Sequence, residues 1–357
     1  NLAELKAFEE LNIAEISSAL TNITAPMLEM SCLQGLNDMI EAAGVVGCGG
    51  AGFPTHVKLK GSFEYLIVNG AECEPYITSD NRCMLEDTHF ILSGIKAVMK
   101  YLEIPKCIIG IEGNKPEAIA KMKDAIDAPG IEVKTLPCRY PQGAEKVLIE
   151  NCTGREVPFP GLPSDVGVIV MNVTSVAFVG KYLETGMPLT TKRLTVDGDI
   201  VKEPKNVEVV IGTPVEELLE FCGGLTEEPG KVLYGGPMMG IAVSDTSAPI
   251  LKNTNAILAF NDKDATLPDE TPCIRCGNCI NHCPLNLNPP AIAKALASGD
   301  GAEIAKTKVN ICMECGACVF VCPAHRMIVH RNKLAKAELR AYQTKLAEQK
   351  KKEEENK

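Results

Sequence analysis

The sequence predicts three successive folded domains: an α/β domain with a largely parallel sheet, a smaller α+β domain and a cysteine-rich module. Three observations support this prediction. Short β-branched runs alternate with amphipathic stretches between residues 44 and 180, and residues 194–240 read as strand, hairpin, strand and helix. Eight of the sixteen cysteines then fall in two identically spaced sets near the C-terminus.

The overall composition is that of a globular protein. Of the 357 residues, 45% are hydrophobic and 23% are charged, which excludes general disorder. No uncharged apolar run reaches the roughly 18 residues that a membrane-spanning helix needs. A net charge of −10 argues against nucleic acid as a partner. We therefore expect neither a membrane span nor nucleic-acid binding.

Residues 1–40 carry apolar side chains at helical spacing and predict an N-terminal helical segment. Their start is charged and lacks the apolar core of a secretion signal, so the many cysteines indicate a reducing compartment rather than a disulfide scaffold. The first residue is not Met, and we expect that the chain is processed or truncated.

A glycine-rich loop opens the α/β domain, which we assign to residues 41–190. Gly47, Gly49, Gly50 and Gly52 fall within six positions, so backbone N–H groups can approach a phosphate or a ring without obstruction by Cβ atoms. The spacing is not that of a P-loop, and a plain glycine turn is the alternative. Lys58 follows closely enough to neutralise a phosphate.

Polar side chains follow the apolar strand YLIV. Asn69, Glu72 and Glu74 come after it, at the end of a strand where α/β sheets place their ligand sites. An amide can hydrogen-bond to a ring edge, and carboxylates can accept hydrogen bonds from ribityl or ribose hydroxyls. The alternative is a pair of solvated loop carboxylates.

An internal repeat at an offset of 39 residues is the strongest feature. PCIRCGNCINHCP and ICMECGACVFVCP share the spacing C-x2-C-x2-C-x3-C-P. Thiolates are soft ligands suited to iron, and in two-cluster ferredoxins the fourth cysteine of each motif serves the opposite [4Fe–4S] cluster. Zinc knuckles or disulfides are the alternative. The first quartet is Cys273, Cys276, Cys279 and Cys322, and the second quartet is Cys312, Cys315, Cys318 and Cys283.

The order of these motifs resembles a known family. GxGGAGFPTxxK followed by VNGAECEPYIT is similar to the flavin- and NADH-binding subunit of respiratory complex I, and still more to the C subunit of Rnf complexes, the ion-translocating ferredoxin:NAD oxidoreductases. The resemblance implies an FMN- and NADH-binding α/β domain, a β-grasp (SLBB) domain over 191–260, a ferredoxin-like domain with two [4Fe–4S] clusters over 261–330, and a charged helical tail over 331–357.

The resemblance also implies cofactor-binding residues, matched by position. Lys58 and the glycine loop match contacts to the flavin phosphate and ring, and Phe53 matches the aromatic ring on which nicotinamide or adenine stacks. No residue is assigned a catalytic role. The full set, which includes flavin- and ribose-side contacts, is Gly47, Gly49, Gly50, Phe53, Lys58, Asn69, Glu72, Glu74, Glu145 and Asn172.

Three positions depart from the complex I pattern. Cys48 replaces an arginine, Ala144 replaces a glutamate, and Met171 replaces an asparagine. Flavin binding remains the expectation, whereas the integrity of the NADH site is left open.

The function implied is electron transfer at NAD(H). A hydride carries two electrons and each cluster accepts one, so a flavin is needed between them. The alternatives are the cobalamin reductase of propanediol-using microcompartments and a non-catalytic iron–sulfur adaptor. For the main interpretation, the expected partners are the integral and peripheral Rnf subunits, and the expected location is the cytoplasmic face of the cell membrane.

Overall fold

The computed structural model describes residues 32–355, with side chains from residue 35 onward. Most of the predicted N-terminal segment over 1–40 lies outside the described residues. Its end falls in helix α1 (Cys32–Ala42). Among the described residues, no helix combines the length and hydropathy needed to cross a bilayer.

A parallel sheet forms the centre of the α/β domain. Its strands are β1 (Tyr65–Gly70), β2 (Lys106–Glu112), β3 (Ile131–Leu136) and β4 (Val168–Asn172). The spatial order is β3-β2-β1-β4, and all three strand pairs are parallel. Strands β1, β2 and β4 are buried along most of their length, as expected when helices cover both faces of a parallel sheet.

Helices cover the two faces of this sheet. Leu66 and Val68 of β1 pack with helices on one face of the sheet. Ile67 points to the other face and packs with Leu148 of another helix. This alternation follows from the two-residue period of a strand. The remaining helices of the domain are α2 (Thr55–Lys58), α3 (Ser79–Glu86), α4 (Thr88–Tyr101), α5 (Pro116–Ala125), α6 (Glu145–Thr153) and α7 (Val173–Thr185).

The second domain contains a mixed five-stranded sheet with one helix packed on it. Its elements are β5 (Thr191–Asp197), β6 (Lys205–Val210), α8 (Val215–Phe221), β7 (Lys231–Tyr234), β8 (Ile241–Ala242) and β9 (Ala256–Phe260). The spatial order is β6-β5-β9-β7-β8, in which only β5 and β9 are parallel. Leu194 and Val196 pack with Leu218 of the helix in a separate core.

The third domain is helical, and the helices at and just after the first cysteine motif recur 39 residues later at the second motif. Short helices hold the third cysteine of each motif, and longer helices begin six residues after each fourth cysteine. The last helix begins at Ile328, before the predicted tail, and buries Ala335 and Leu339 in the domain core. The elements are α9 (Asp262–Ala265), α10 (Asn278–Asn281), α11 (Pro289–Ser298), α12 (Gly301–Lys306), α13 (Ala317–Phe320) and α14 (Ile328–Glu355).

Two glycines let α4 and α7 cross at close range. A Cβ at Gly94 would overlap the carbonyl oxygen of Val176, and a Cβ at Gly180 would overlap that of Phe90. Because both obstructing atoms belong to the backbone, neither overlap can be relieved by a side-chain rotation. The contact between these helices therefore requires glycine on both.

Gly180→Ala should lower the free energy of unfolding by about 1–3 kcal/mol, because the helices must separate to admit the methyl group. The measurement is chemical denaturation of the full chain. Gly35→Ala is the control, since a Cβ at Gly35 meets no atom of the described residues within 4 Å and alanine favours a helix. Equal stability of the two variants would contradict the proposed packing constraint.

Candidate functional site

Asn69, predicted from a strand end, and Asn172, predicted from the family resemblance, meet at the carboxyl edge of the parallel sheet. The chain passes from β1 to β2 and β3 on one side and returns to β4 on the other, so β1 and β4 flank a topological switch point. Open α/β sheets bind ligands at such points. Asn69 and Asn172 are paired in register at the ends of these strands. The structure therefore brings these two predicted residues together.

Both asparagine side chains are held by the surrounding backbone. The Asn69 amide donates to the carbonyl oxygen of Gly143 (2.9 Å) and accepts from the N–H of Ala71 (3.2 Å). Asn172 caps α7 by accepting from the N–H of Thr174 (3.0 Å), and its Nδ2 donates to Asp80 (2.7 Å). The two amides have fixed orientations at the switch point.

The glycine loop lies directly against Asn172. A Cβ at Gly49 would be 3.0 Å from Nδ2 of Asn172, so a side chain at this position would require the Asn172 amide to shift. Gly50 has φ +113°, which other residues rarely adopt, and a Cβ there would meet no atom within 4 Å. The N–H groups of Gly49, Gly50 and Ala51 donate to no atom within the described part of the chain. They form a set of free donors next to open space, which fits an anionic group such as a flavin phosphate.

The second domain also fixes this loop, through residues that sequence reasoning missed. Lys192 of β5 is 1% exposed, and its Nζ donates to the carbonyl oxygen of Cys48 (3.0 Å). Asn253 donates to the carbonyl oxygen of Gly50 (2.7 Å). The sequence did contain a signal, because Lys192 shares the inward face of β5 with Leu194 and Val196. A lysine at an inward strand position is unusual and indicates a specific partner.

Lys58 and Glu145 form an ion pair beside the glycine loop. Lys58 Nζ lies 2.7 Å from Oε1 of Glu145 and donates to the carbonyl oxygen of Val170 in β4 (2.9 Å). Both side chains are partly exposed. The structure thus brings two further residues of the predicted set together, and a phosphate at Lys58 would share the ammonium group with Glu145.

Both carboxylate oxygens of Glu72, which the sequence suggests as a flavin- or ribose-side contact, have hydrogen-bond partners within the protein. They accept hydrogen bonds from the N–H groups of Asp80 (2.6 Å) and Asn81 (3.0 Å), at the start of α3. Burial, together with the negative charge of Asp80, raises the pKa of Glu72 from 4.5 to about 8. Glu72 therefore serves the backbone at the start of α3, and its contact with a ligand stays a prediction.

Glu74 also has partners within the protein, and these connect domains. Its carboxylate accepts from the hydroxyl of Tyr140 (3.3 Å) and from the N–H of Met238 in the second domain (3.1 Å). The Tyr140 hydroxyl also lies 2.6 Å from the carbonyl oxygen of Cys315, so its single proton has two acceptors, of which this carbonyl is the nearer. Burial raises the pKa of Glu74 and of Tyr140. Sequence reasoning missed Tyr140, although it lies in the YPQGAEK motif.

The remaining predicted residue, Phe53, ends the glycine loop and is 47% exposed, so its ring is accessible to a stacking partner.

The three departures from the complex I pattern supply no polar replacement. Cys48 and Met171 are buried in the domain, and Ala144 directly precedes α6. The edge of the site where they lie has fewer charged groups than the pattern it resembles.

The two cysteine quartets differ in burial. Cys315 and Cys318 of the second quartet are buried, whereas Cys273 and Cys276 of the first are exposed. Burial raises the pKa of Cys318 to about 12, and the nearby charges of Cys315, Cys312 and Cys283 contribute. Burial likewise raises the pKa of Cys279, with Cys322, Cys273 and Cys276 contributing. In both sets the fourth cysteine of the opposite motif is a neighbour, and the crossed assignment of cluster ligands stays a prediction.

All four cysteines of the second quartet line one small cavity, together with apolar residues and Asn332. Thiolates around an apolar space are a donor set that fits an iron–sulfur cluster. Among the described residues, no three His, Cys, Asp or Glu side chains converge closely enough to hold a single metal ion.

Comparison with known proteins agrees with this architecture. The chain matches three families in order: the Nuo51 FMN-binding domain over residues 40–181, the SLBB domain over 193–242 and the 4Fe–4S dicluster domain over 266–323. It is 46% identical to the C subunit of the proton-translocating ferredoxin:NAD(+) oxidoreductase complex of Clostridium ljungdahlii over 277 residues, which are 76% of this chain and 60% of that protein. It is 43% identical to the Na(+)-translocating counterpart of Acetobacterium woodii, over 72% of this chain and 60% of that protein.

This chain is homologous to these C subunits over 72–76% of its own length. It spans about 60% of the length of these two relatives. The match to the three families confirms the predicted fold class, with an FMN-binding domain and a 4Fe–4S dicluster domain. The structure of an NAD+-reducing [NiFe]-hydrogenase shares this fold, with a TM-score of 0.57 at 17% identity, over 86% of this chain and 63% of the hydrogenase chain.

Lys58→Met should lower the FMN content of the purified C-subunit homologue. The substitution removes a cation and leaves the Glu145 carboxylate to repel the phosphate, and a charge-assisted hydrogen bond contributes about 1.5–3 kcal/mol. We therefore expect FMN affinity to fall at least tenfold, measured by flavin fluorescence after extraction and by titration of apoprotein. Lys60→Met, at an exposed position on the same segment, is the control. Unchanged FMN affinity in the Lys58 variant would place the phosphate elsewhere.

Glu72→Gln should alter the pH dependence of stability. Because the pKa of Glu72 is about 8 in the folded chain and 4.5 ordinarily, the unfolded chain loses this proton first as pH rises, and folding becomes less favourable between these values. Glutamine removes this contribution. The free energy of unfolding of the variant, relative to the parent chain, should therefore increase from pH 5 to pH 8 in urea titrations. A constant difference across that range would contradict the raised pKa.

Proposed function

We propose that this chain is the electron-transfer subunit of a membrane-bound ferredoxin:NAD oxidoreductase of the Rnf type. In this proposal it passes electrons between NAD(H), FMN and two [4Fe–4S] clusters, while other subunits couple this transfer to ion translocation. The proposal extends to this chain the activity that names its relatives in Clostridium ljungdahlii and Acetobacterium woodii.

The observation that carries the proposal is the hydrogen bond between Tyr140 and Cys315. It links the flavin-type domain to the loop that carries the second quartet, with Glu74 and Met238 at the same junction. A redox centre at the second quartet would therefore be next to the α/β domain and shielded from water. This is the position required for the first acceptor of electrons from a flavin in that domain.

The first quartet has the complementary position. Its Cys273 and Cys276 are exposed, and so are the neighbouring apolar side chains of Ile274 (67%) and Phe320 (80%). Exposed apolar side chains of this kind favour contact with another protein. We assign the first quartet to exchange of electrons with a partner subunit, and the second quartet to exchange with the flavin.

In this proposal the residues at the switch point bind FMN and the nicotinamide nucleotide. Bound FMN would supply the conversion between two-electron and one-electron transfer. The glycine loop and Lys58 hold its phosphate, the amides of Asn69 and Asn172 lie at the adjoining sheet edge, and Phe53 offers a ring to the nucleotide. Glu145 orients Lys58 through their ion pair.

We further propose that the protein is peripheral at the cytoplasmic face of the cell membrane, where it contacts integral and peripheral Rnf subunits. The reason is chemical: NAD(H) is an intracellular substrate, and the cysteine thiols need a reducing compartment. The alternatives are a microcompartment cobalamin reductase and an adaptor that lacks a nucleotide site. The departures from the complex I pattern, at Cys48, Ala144 and Met171, are the observation that favours the adaptor.

Anaerobic titration with NADH tests the proposed function. We expect the flavin absorbance of the full chain to bleach and two iron–sulfur signals to develop by electron paramagnetic resonance. Cys322→Ser should remove only the first-quartet centre and leave the other reducible by NADH. Cys283→Ser should remove the second-quartet centre and slow reduction of the remaining one, because its link to the flavin is lost.

These outcomes separate the alternatives. A flavin that does not respond to NADH would support the adaptor, and rapid reduction of a cobalamin substrate would support the reductase. Loss of the wrong centre in either cysteine variant would reverse the crossed assignment.

A further inference from the structure

One polar side chain is buried in the apolar stripe with which α14 faces the ferredoxin-like domain. The buried residues of this helix are Ile328, Asn332, Ala335 and Leu339, spaced as one helical face. Asn332 is 2% exposed. It is the only residue of the stripe with a polar side chain, and no part of the proposed function uses it.

The amide of Asn332 is directed at the second quartet. Its Nδ2 lies 3.5 Å from Sγ of Cys312, and the residue lines the same cavity as the four cysteines. A metal-bound thiolate has no proton to donate, so the N–H side of the amide must face the sulfur. The amide oxygen, Oδ1, is buried and has no hydrogen-bond partner among the described residues.

This arrangement has a cost that packing does not explain. A buried oxygen without a donor destabilises the fold, whereas leucine, of similar size, would fill the same space with no unpaired polar atom. The neighbouring lysine does not explain it either. Lys336 donates to the carbonyl oxygen of Cys312 (3.1 Å) and is neutralised by Glu314 (2.5 Å). The amide is thus the side chain that acts on the sulfur itself.

The internal repeat provides a comparison within the same chain. At the offset of 39 residues, Cys312 corresponds to Cys273, and Asn332 corresponds to Ala293 on α11. Alanine has no donor. The helix that starts after the first motif therefore cannot make the hydrogen bond that α14 makes, and the two quartets differ at this position.

We propose that Asn332 tunes the redox centre of the second quartet by donating a hydrogen bond to Cys312. Reduction adds negative charge to the cluster and its thiolates, and an N–H donor stabilises that charge, so it raises the reduction potential. The buried centre next to the flavin-type domain is thereby easier to reduce than it would be without this amide. This inference rests on the proposed cluster at the second quartet, and Asn332 acts on it through Cys312.

Redox titration of the full chain, followed by electron paramagnetic resonance, tests this. Asn332→Leu should make reduction of the second-quartet centre roughly tenfold less favourable, which is a downward shift of about 59 mV for one electron. The first-quartet centre should keep its potential. Iron and sulfide content should stay the same, and the thermal midpoint should be equal or higher because the unpaired oxygen is gone. Cys322→Ser identifies which signal belongs to the second quartet.

Two further variants make the test specific. Asn332→Ala also lacks the donor but has a smaller side chain, so an equal downward shift in both variants attributes the effect to the amide. Asn278→Leu is the matched control, because that asparagine donates to the carbonyl oxygen of Val321 (3.4 Å) rather than to a sulfur. It should leave the second-quartet potential unchanged.

Three results would overturn the inference. An unchanged potential in Asn332→Leu would do so directly, and a shift confined to Asn332→Ala would attribute the effect to packing or water. Absence of iron from the parent chain would overturn the proposed function together with this inference. If the parent chain contains both centres but Asn332→Leu does not shift the potential, the inference alone fails.

Discussion

Glu74 links the three domains, because its two carboxylate oxygens accept hydrogen bonds from elements of different domains. One oxygen accepts from Met238 of the second domain, and the other from Tyr140 of the α/β domain, whose hydroxyl also contacts the loop of Cys315. Gly236 lets the carboxylate lie against the turn, since a Cβ there would overlap it. Removing this carboxylate would leave the N–H of Met238 without its partner at a partly buried junction, and such losses are costly.

The glycine loop depends on a second constraint of the same kind. Lys192 brings a buried ammonium group from the second domain to the carbonyl oxygen of Cys48. The loop is thereby held from both sides, by α7 through Ser175 and by β5 through Lys192. Its outward N–H groups are left free for a ligand. A β-grasp domain next to a flavin-type domain thus has a physical role here, which is to hold the ligand loop in one conformation.

The two cysteine quartets lie in different surroundings. The second is buried at the junction of the domains and the first is exposed among apolar side chains, so a centre at each would face different neighbours. Burial and hydrogen bonds to sulfur both act on the potential of such centres. The two copies of the motif are equal in spacing and unequal in surroundings. The repeat is therefore symmetric in the spacing of its cysteines, whereas the burial and the hydrogen bonds of the two quartets differ.

The sequence by itself determined the features that depend on local spacing. The alternation of strands and helices, the two cysteine sets and the polar residues at strand ends can all be recognised within short windows, because strand and helix periods and metal-ligand loops are local. Asn69 could be placed at the carboxyl edge of the sheet from this information, whereas Asn172 was predicted from the family resemblance. The structure places both there, with Lys58 and Glu145 close by.

Only the tertiary structure decided which polar residues serve the fold and which remain free for a ligand. Lys192 and Cys48 are 144 residues apart, and Tyr140 and Cys315 are 175 residues apart, so no local pattern relates them. Glu72 resembles a ligand contact in sequence, yet its oxygens bind the start of α3. The partner of a hydrogen-bonding group depends on which distant segments pack against it, and periodicity carries no information about that choice.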